Sequence, residues 1–142
     1  MVLSWEYIAG FFDGEGHVCV IIKSNNVGMC QQGDNGKLVL SDIAETCAVA
    51  GIHCGVYAAN EAKRAVQMYR LSVQGRESCR RFLMKVLPFL RVKRTIAQDA
   101  LRFFTLYPPI MARGRFLQRP GFMIRRVWDE HTFTPRKKAA RV

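Results

Sequence analysis

Asp13 and Glu15 alternate with glycines at the end of the run Ile8-Ala-Gly-Phe-Phe-Asp-Gly-Glu-Gly16. Carboxylates in such a place are hard oxygen donors, suited to a divalent cation and to chemistry on a phosphate. The residues before them are small. Ala9, Gly10 and the Asp13-Gly14 step carry little side chain, so a second helix backbone can approach closely. The run occurs once in the chain, so that second helix would come from a second copy, and a two-fold homodimer would bring one Glu15 from each protomer to its axis. Ala9, Gly10 and Asp13 are therefore the expected dimer interface. Two converging carboxylates repel unless a cation lies between them. A site of few carboxylates, completed by water and phosphate oxygens, suits Mg2+, which keeps several waters in octahedral geometry. It would activate the phosphodiester as a Lewis acid and make hydroxide available near neutral pH. The plainer alternative is an amphipathic helix with a glycine-rich exit whose acids face solvent.

Charge points to the same class of partner. The chain of 142 residues carries a net +11 with pI near 10.0, distributed unevenly. Residues 1–60 hold two basic and six acidic residues (−4), whereas residues 61–142 hold twenty and five (+15). An excess this one-sided fits a polyanion, with nucleic acid first among candidates, although basic side chains also solvate surface helices. Five cysteines without a C-x-x-C pair fit a reducing, intracellular setting and buried thiols better than zinc. The longest uncharged run, Thr46 to Asn60, is broken by Gly51 and Gly55, which argues against a membrane span and for a soluble protein. No small-molecule substrate is implied.

The elements that would hold these residues follow from periodicity. Ser4 can cap a helix over residues 5–13, ended by Gly14 and Gly16. Residues 17–23 read as a strand, Ser24 to Gly28 as turn chemistry, and Met29 to Gln32 as the returning strand. Residues 37–50 read as a helix stopped by Gly51, and residues 52–60 and 65–74 as a second hairpin around the polar turn Glu61 to Arg64. Glu77 to Leu87 and Arg91 to Leu106 read as two helices parted by Pro88. The fold class is α+β: an αββαββα core with a four-stranded antiparallel sheet, helices on one face and the other face open, followed by a further C-terminal helix. Residues 1–106 form this core. Residues 107–142 form a basic extension with nine basic and two acidic residues, either part of the same domain or lying against DNA.

The run Ile8 to Gly16 resembles, position by position, the signature of the LAGLIDADG homing endonucleases, with Glu in the last acidic place. The resemblance extends over the element order from residue 4 to about residue 105. It implies an intron-encoded, site-specific DNA endonuclease that makes Mg2+-dependent double-strand breaks as a homodimer at a long pseudo-palindromic site, leaving short 3′ overhangs. It also implies roles. Glu15 and the carbonyl of Gly14 would be metal ligands, and Asp13 would close its helix end by local hydrogen bonds. Pro88-Phe-Leu-Arg-Val-Lys-Arg94 is similar to the family's P-F-L-x-x-K stretch, so Lys93 would stabilise phosphorane charge or tune the attacking water. Gln32 resembles the polar residue that orders active-site water. The basic group the family often adds nearby is missing at Gly36, with Lys37 as its substitute. Rival functions are an RNA maturase of the same type or a DNA-binding protein that does not cut.

A twisted antiparallel sheet fits the major groove and presents alternate side chains to base edges. Alternation places Val18, Val20 and Ile22 beneath the helices and leaves Cys19, Ile21, Lys23, Asn25, Met29 and Gln31 outward. In the second hairpin, Tyr69, Leu71 and Val73 point inward while Arg70, Ser72 and Gln74 point outward. Lys85, Arg91, Arg94 and the tail arginines would meet phosphates.

Overall fold

Ser4 sits in extended backbone, and its hydroxyl oxygen accepts the Tyr7 N–H at 3.2 Å, opening helix α1 (Trp5–Glu15). Such a cap contributes about 1 kcal/mol. Gly14 does not end this helix. It runs through Gly14 to Glu15 and stops at Gly16, whose N–H donates to the Phe12 carbonyl. A Cβ at Gly16 would stand 2.1 Å from the Phe12 ring, so close packing requires glycine there.

The computed structural model describes residues 1–21, 24–59 and 65–106. Lys23, the Glu61 to Arg64 turn and the 107–142 extension lie outside the described residues. Strands β1 (Gly16–Ile21) and β2 (Ser24–Gln32) follow α1 directly. The stretch read as a turn, Ser24 to Gly28, is therefore strand: its polar residues pair in register with β1, with Ile21 opposite Ser24 and Val18 opposite Val27. Helix α2 (Gly33–Val49) starts four residues before the expected 37. The positive φ of Gly33, +76°, turns the chain out of β2 without a loop. Strands β3 (Cys54–Ala59) and β4 (Met68–Val73), helix α3 (Arg76–Val86), a 3-10 turn at Leu87–Phe89 and helix α4 (Arg94–Leu106) complete the described chain.

The sheet order is β1-β2-β4-β3, antiparallel throughout, so the two hairpins meet along β2 and β4. Helices cover one face. Ile8 and Phe12 of α1, Leu40 and Ile43 of α2, Phe82 of α3 and Phe103 of α4 pack on Val20, Val27, Leu71 and Val73 of the sheet. Phe12 meets Phe82 edge to face at 5.2 Å, and Trp5 meets the same ring at 6.3 Å. This aromatic cluster fixes α1 against α3 and so fixes where α1 ends. Among the described residues no disulfide forms, and Cys47 and Cys79 are buried; burial pushes the Cys79 thiol up to about 11. Among the described residues no helix is long and apolar enough to cross a membrane.

Candidate active site and nucleic-acid interface

The last turn of α1 carries the acids in two different environments. Glu15 is exposed at the helix end, and no basic residue occupies that turn. Unsatisfied carbonyls and the helix dipole make such an end attractive to a cation. Asp13 is half-buried and turned into its own chain. Its two carboxylate oxygens accept the backbone N–H groups of Arg91, at 2.7 Å, and Lys93, at 2.9 Å. Partial burial alone would raise the Asp13 carboxyl, but the N–H groups of Arg91, Lys93 and Val92 and the charge of Lys93 outweigh it and hold it below the usual range. The Lys93 ammonium donates to the Asp13 carbonyl. Lys93 is thus brought to the last turn of α1, next in sequence to Gly14 and Glu15, although it lies 80 residues from Asp13 along the chain.

Asp13 therefore departs from expectation in its partners. Its hydrogen bonds are long-range, not local, and its carboxylate is engaged by its own chain. Ala9 departs as well: it is 0% exposed in the single chain, facing the core beside Ile8 and Phe12. The outer face of α1 is formed by Tyr7, Gly10 and Gly14, with half-buried Phe11 stacked on Tyr7 at 6.4 Å. A Cβ on Gly10 or Gly14 would meet nothing within 4 Å. Helical geometry explains this, since positions 7, 10 and 14 share one stripe and position 9 lies to its side.

On the sheet, β4 keeps the expected alternation: Leu71 and Val73 are buried, and Arg70 and Ser72 lie on the open face. The parity of β2 is the reverse of that expected. Each β1–β2 pair joins an odd-numbered to an even-numbered residue, so odd outward on β1 becomes even outward on β2. Met29, expected outward, is 0% exposed opposite Leu71; Asn25 lies opposite buried Val20; Gln31 lies opposite Tyr69 on the helix side. The open face is instead lined by His17, Cys19, Asn26, Cys30, Arg70, Ser72 and, on β3, Tyr57. His17, Asn26, Cys30 and Tyr57 escape a reading from sequence. Asn26 and Cys30 follow from the register, since pairing of odd with even residues puts the even positions of β2 on the face that Cys19 shares, and Tyr57 follows from its place opposite Arg70.

Two pairs organise that face. His17 Nε2 and Asn26 Oδ1 are 2.9 Å apart across the β1–β2 pair. Arg70 Nε donates to Cys30 Sγ at 3.4 Å, with Tyr57 opposite Arg70 on the other side. A contact through Nε does not use the two terminal guanidinium nitrogens, which match the O6/N7 edge of guanine. Gln74 lies just past β4 with its amide over Gly55. Gln32 is exposed at the end of β2, which extends beyond the Gly16 end of β1 toward the α1 terminus.

The remaining cations are placed variously. Lys37 lies on α2 with its ammonium 5.4 Å from the Tyr69 ring centroid, on the helix side. Its neighbour Gly36 packs against Gln31, where a Cβ would come within 2.8 Å of Gln31 Cβ, so a basic side chain has no room at position 36. Lys85 sits 5.8 Å from the Trp5 ring centroid and props α3 on α1. Arg94 is exposed as the first residue of α4, where a cation opposes the helix dipole.

No protein-family model matches the chain, and no curated protein does. Solved structures do. The chain is similar to the homing endonuclease I-CvuI in complex with its target (Sro1.3) in the presence of Ca, with TM-score 0.66 and 23% identity over 94% of this chain and 83% of that one. It is also similar to I-CvuI in complex with the I-CreI target (C1221) in the presence of Mg, in which the DNA is not cleaved, with TM-score 0.61, 21% identity and the same coverage. Helix α1 leading into the first hairpin, the paired hairpins and the helices on one face are thus a known architecture, and this chain has the fold of the LAGLIDADG homing endonucleases.

Proposed function

We propose that the chain is a site-specific DNA endonuclease that makes double-strand breaks as a homodimer with a divalent metal. One observation carries the reading: the exposed carboxylate of Glu15 stands at the end of α1, two residues beyond the Asp13 carbonyl that holds the Lys93 ammonium. A binding module has no need for a lysine tethered beside an open carboxylate. The fold supports the substrate, because its relatives of known structure were crystallised on DNA targets.

The donors fit a hard cation. Glu15 and the Gly14 carbonyl offer oxygen only, and among the described residues no three His, Cys, Asp or Glu side chains gather. The other ligand places would fall to water, to a DNA phosphate and to Glu15 of the second protomer, which suits Mg2+. Bound there, the metal would supply Lewis-acid activation of the phosphodiester. Lys93 would stabilise charge developing on the phosphoryl oxygens, and Gln32 would orient water from the end of β2. Arg70, Ser72, Gln74, Asn26 and His17 would read base edges, while Arg94 would meet a phosphate, whose charge offsets its unfavourable place on α4.

Assembly uses the stripe of Tyr7, Gly10 and Gly14. Gly10→Leu should dissociate the dimer, and the open space at Gly10 means the protomer itself should remain folded; sedimentation of both proteins at micromolar concentration reads the difference. For the function, a plasmid library of candidate insertion sites is incubated with protein and Mg2+. Linear product with both strands cut at one position supports the proposal. Binding without cutting, or preference for RNA, would favour a regulator or a maturase.

A further inference from the structure

The Asp13 carboxylate makes two long-range hydrogen bonds that the proposed chemistry leaves unused. It collects the N–H groups of Arg91 and Lys93 from a non-helical bend, and the Asp13 carbonyl receives the Lys93 ammonium. Lys93 is thus gripped at both ends by one residue, through its backbone and through its side chain. The Lys93 carbonyl in turn accepts the Ala97 N–H at 2.9 Å, so the same residue opens α4. We propose that Asp13 is a positioning residue of the cleavage site, setting where the Lys93 ammonium stands relative to Glu15. The proposal rests on the nuclease reading given above for its catalytic consequence.

The geometry makes the link specific. Asp13 and Glu15 lie on one helical turn of α1, and Phe12 between Ile8 and Gly16 locks that turn into the core. A bend anchored to Asp13 therefore moves with Glu15. Hydrogen bonds from backbone N–H groups to an ionised carboxylate are stronger than neutral ones, and successive N–H groups converging on one anion form a rigid cradle. Without the carboxylate, the bend at residues 91–93 keeps, among the described residues, no hydrogen bond to α1 other than that of the lysine ammonium itself. Val92, 76% exposed within that bend, supplies no packing to hold it.

The test compares wild type with Asp13→Asn, alone and in the Lys93→Met background. Single-turnover cleavage should slow by roughly 10²-fold in Asp13→Asn, the cost of misplacing a reacting group by about 1 Å, while binding in calcium stays close to wild type. In the Lys93→Met background the same substitution should cost almost nothing further. Equal losses in both backgrounds would make Asp13 merely structural and overturn the proposal. A second measurement needs no activity: acetylation of lysines in the free protein, read by mass spectrometry as the ratio of Lys93 to exposed Lys37. Asp13→Asn should raise that ratio, and an unchanged ratio would overturn the anchor. Should wild type cut no DNA, the nuclease reading falls and the labelling ratio alone decides the anchor. If Asp13→Asn does not fold, amide exchange in wild type takes its place: Arg91 and Lys93 N–H groups should be protected, and exchange at unprotected rates would overturn the proposal.

Discussion

The end of α1 and the open face of the sheet are positioned by different physics. At the helix end, one carboxylate, two backbone N–H groups and a lysine fix each other through contacts between residues 13 and 91–93. On the sheet, position is a matter of register, and side chains are arrayed by strand parity with few mutual bonds, chiefly His17 with Asn26 and Arg70 with Cys30. The first region tolerates little change, because each group has one partner at one distance. The second can exchange side chains one at a time while the backbone ladder stays intact. Under the proposed function, chemistry that must stay constant and recognition that must vary are thereby separated in one small fold.

The largest effect is expected at the helix end. Lys93→Met should slow cleavage by about 10²–10⁴-fold, the usual contribution of a positioned proton-transfer or charge-stabilising group, while weakening binding much less. An equal loss of affinity, read by titration in calcium, would move Lys93 to the class of phosphate contacts. On the sheet the effect should be smaller and local: Arg70→Ala should cost about 1–3 kcal/mol at one base pair per half-site. Asn26→Ala should relax discrimination at another position, whereas Asn25→Ala should change stability without changing base preference. Site profiling of the three variants reads this, and a preference altered by Asn25 would contradict the parity.

Gly10 sharpens the comparison further, because its sign depends on assembly. In an isolated helix Gly10→Ala should stabilise by up to about 1 kcal/mol, since a Cβ there meets nothing. In a close helix pair it should weaken the dimer instead. Thermal unfolding across protein concentration separates the two. The smallest effect belongs to Glu77, outside both regions, whose carboxyl is drawn down to about 2, first by its hydrogen bond from Arg80 and then by Arg81. A depressed carboxyl stabilises the fold above its unfolded value of about 4.3 and loses that contribution as pH falls toward about 2. Glu77→Gln should therefore lower stability slightly at neutral pH, within the ~0.2–1 kcal/mol of an exposed pair, and match wild type near the acid limit. Denaturant melts at both pH values check it.

The same contrast governs what the sequence could tell. The α1 motif, the αββαββα order and the outward parity of β4 were legible because each is written in contiguous residues: a capped helix, alternating strands and turn-forming breaks. The partner of Asp13 was not legible. Nothing near residue 13 reveals that the N–H groups of residues 91 and 93 converge on it, since backbone donors carry no sequence signature. The parity of β2 failed for a different reason: Asn25, Asn26 and Gly28 have turn chemistry, yet the hydrogen-bond ladder with β1 and β4 overrides that local preference. Ala9 failed by angle. One residue's shift around a helix, about 100°, separates a core position from an exposed one.

The most direct test of the central claim sets Glu15→Gln beside wild type on one cleaved site. Glutamine keeps the size of the side chain but removes the charged oxygen donor at the end of α1, where neither the aromatic core nor the Asp13 anchor is touched. In Mg2+ the variant should produce no cut in either strand, and in Ca2+ it should bind the same site with wild-type affinity. Cleavage by Glu15→Gln at the wild-type rate would contradict the assignment of this carboxylate as the centre of the chemistry.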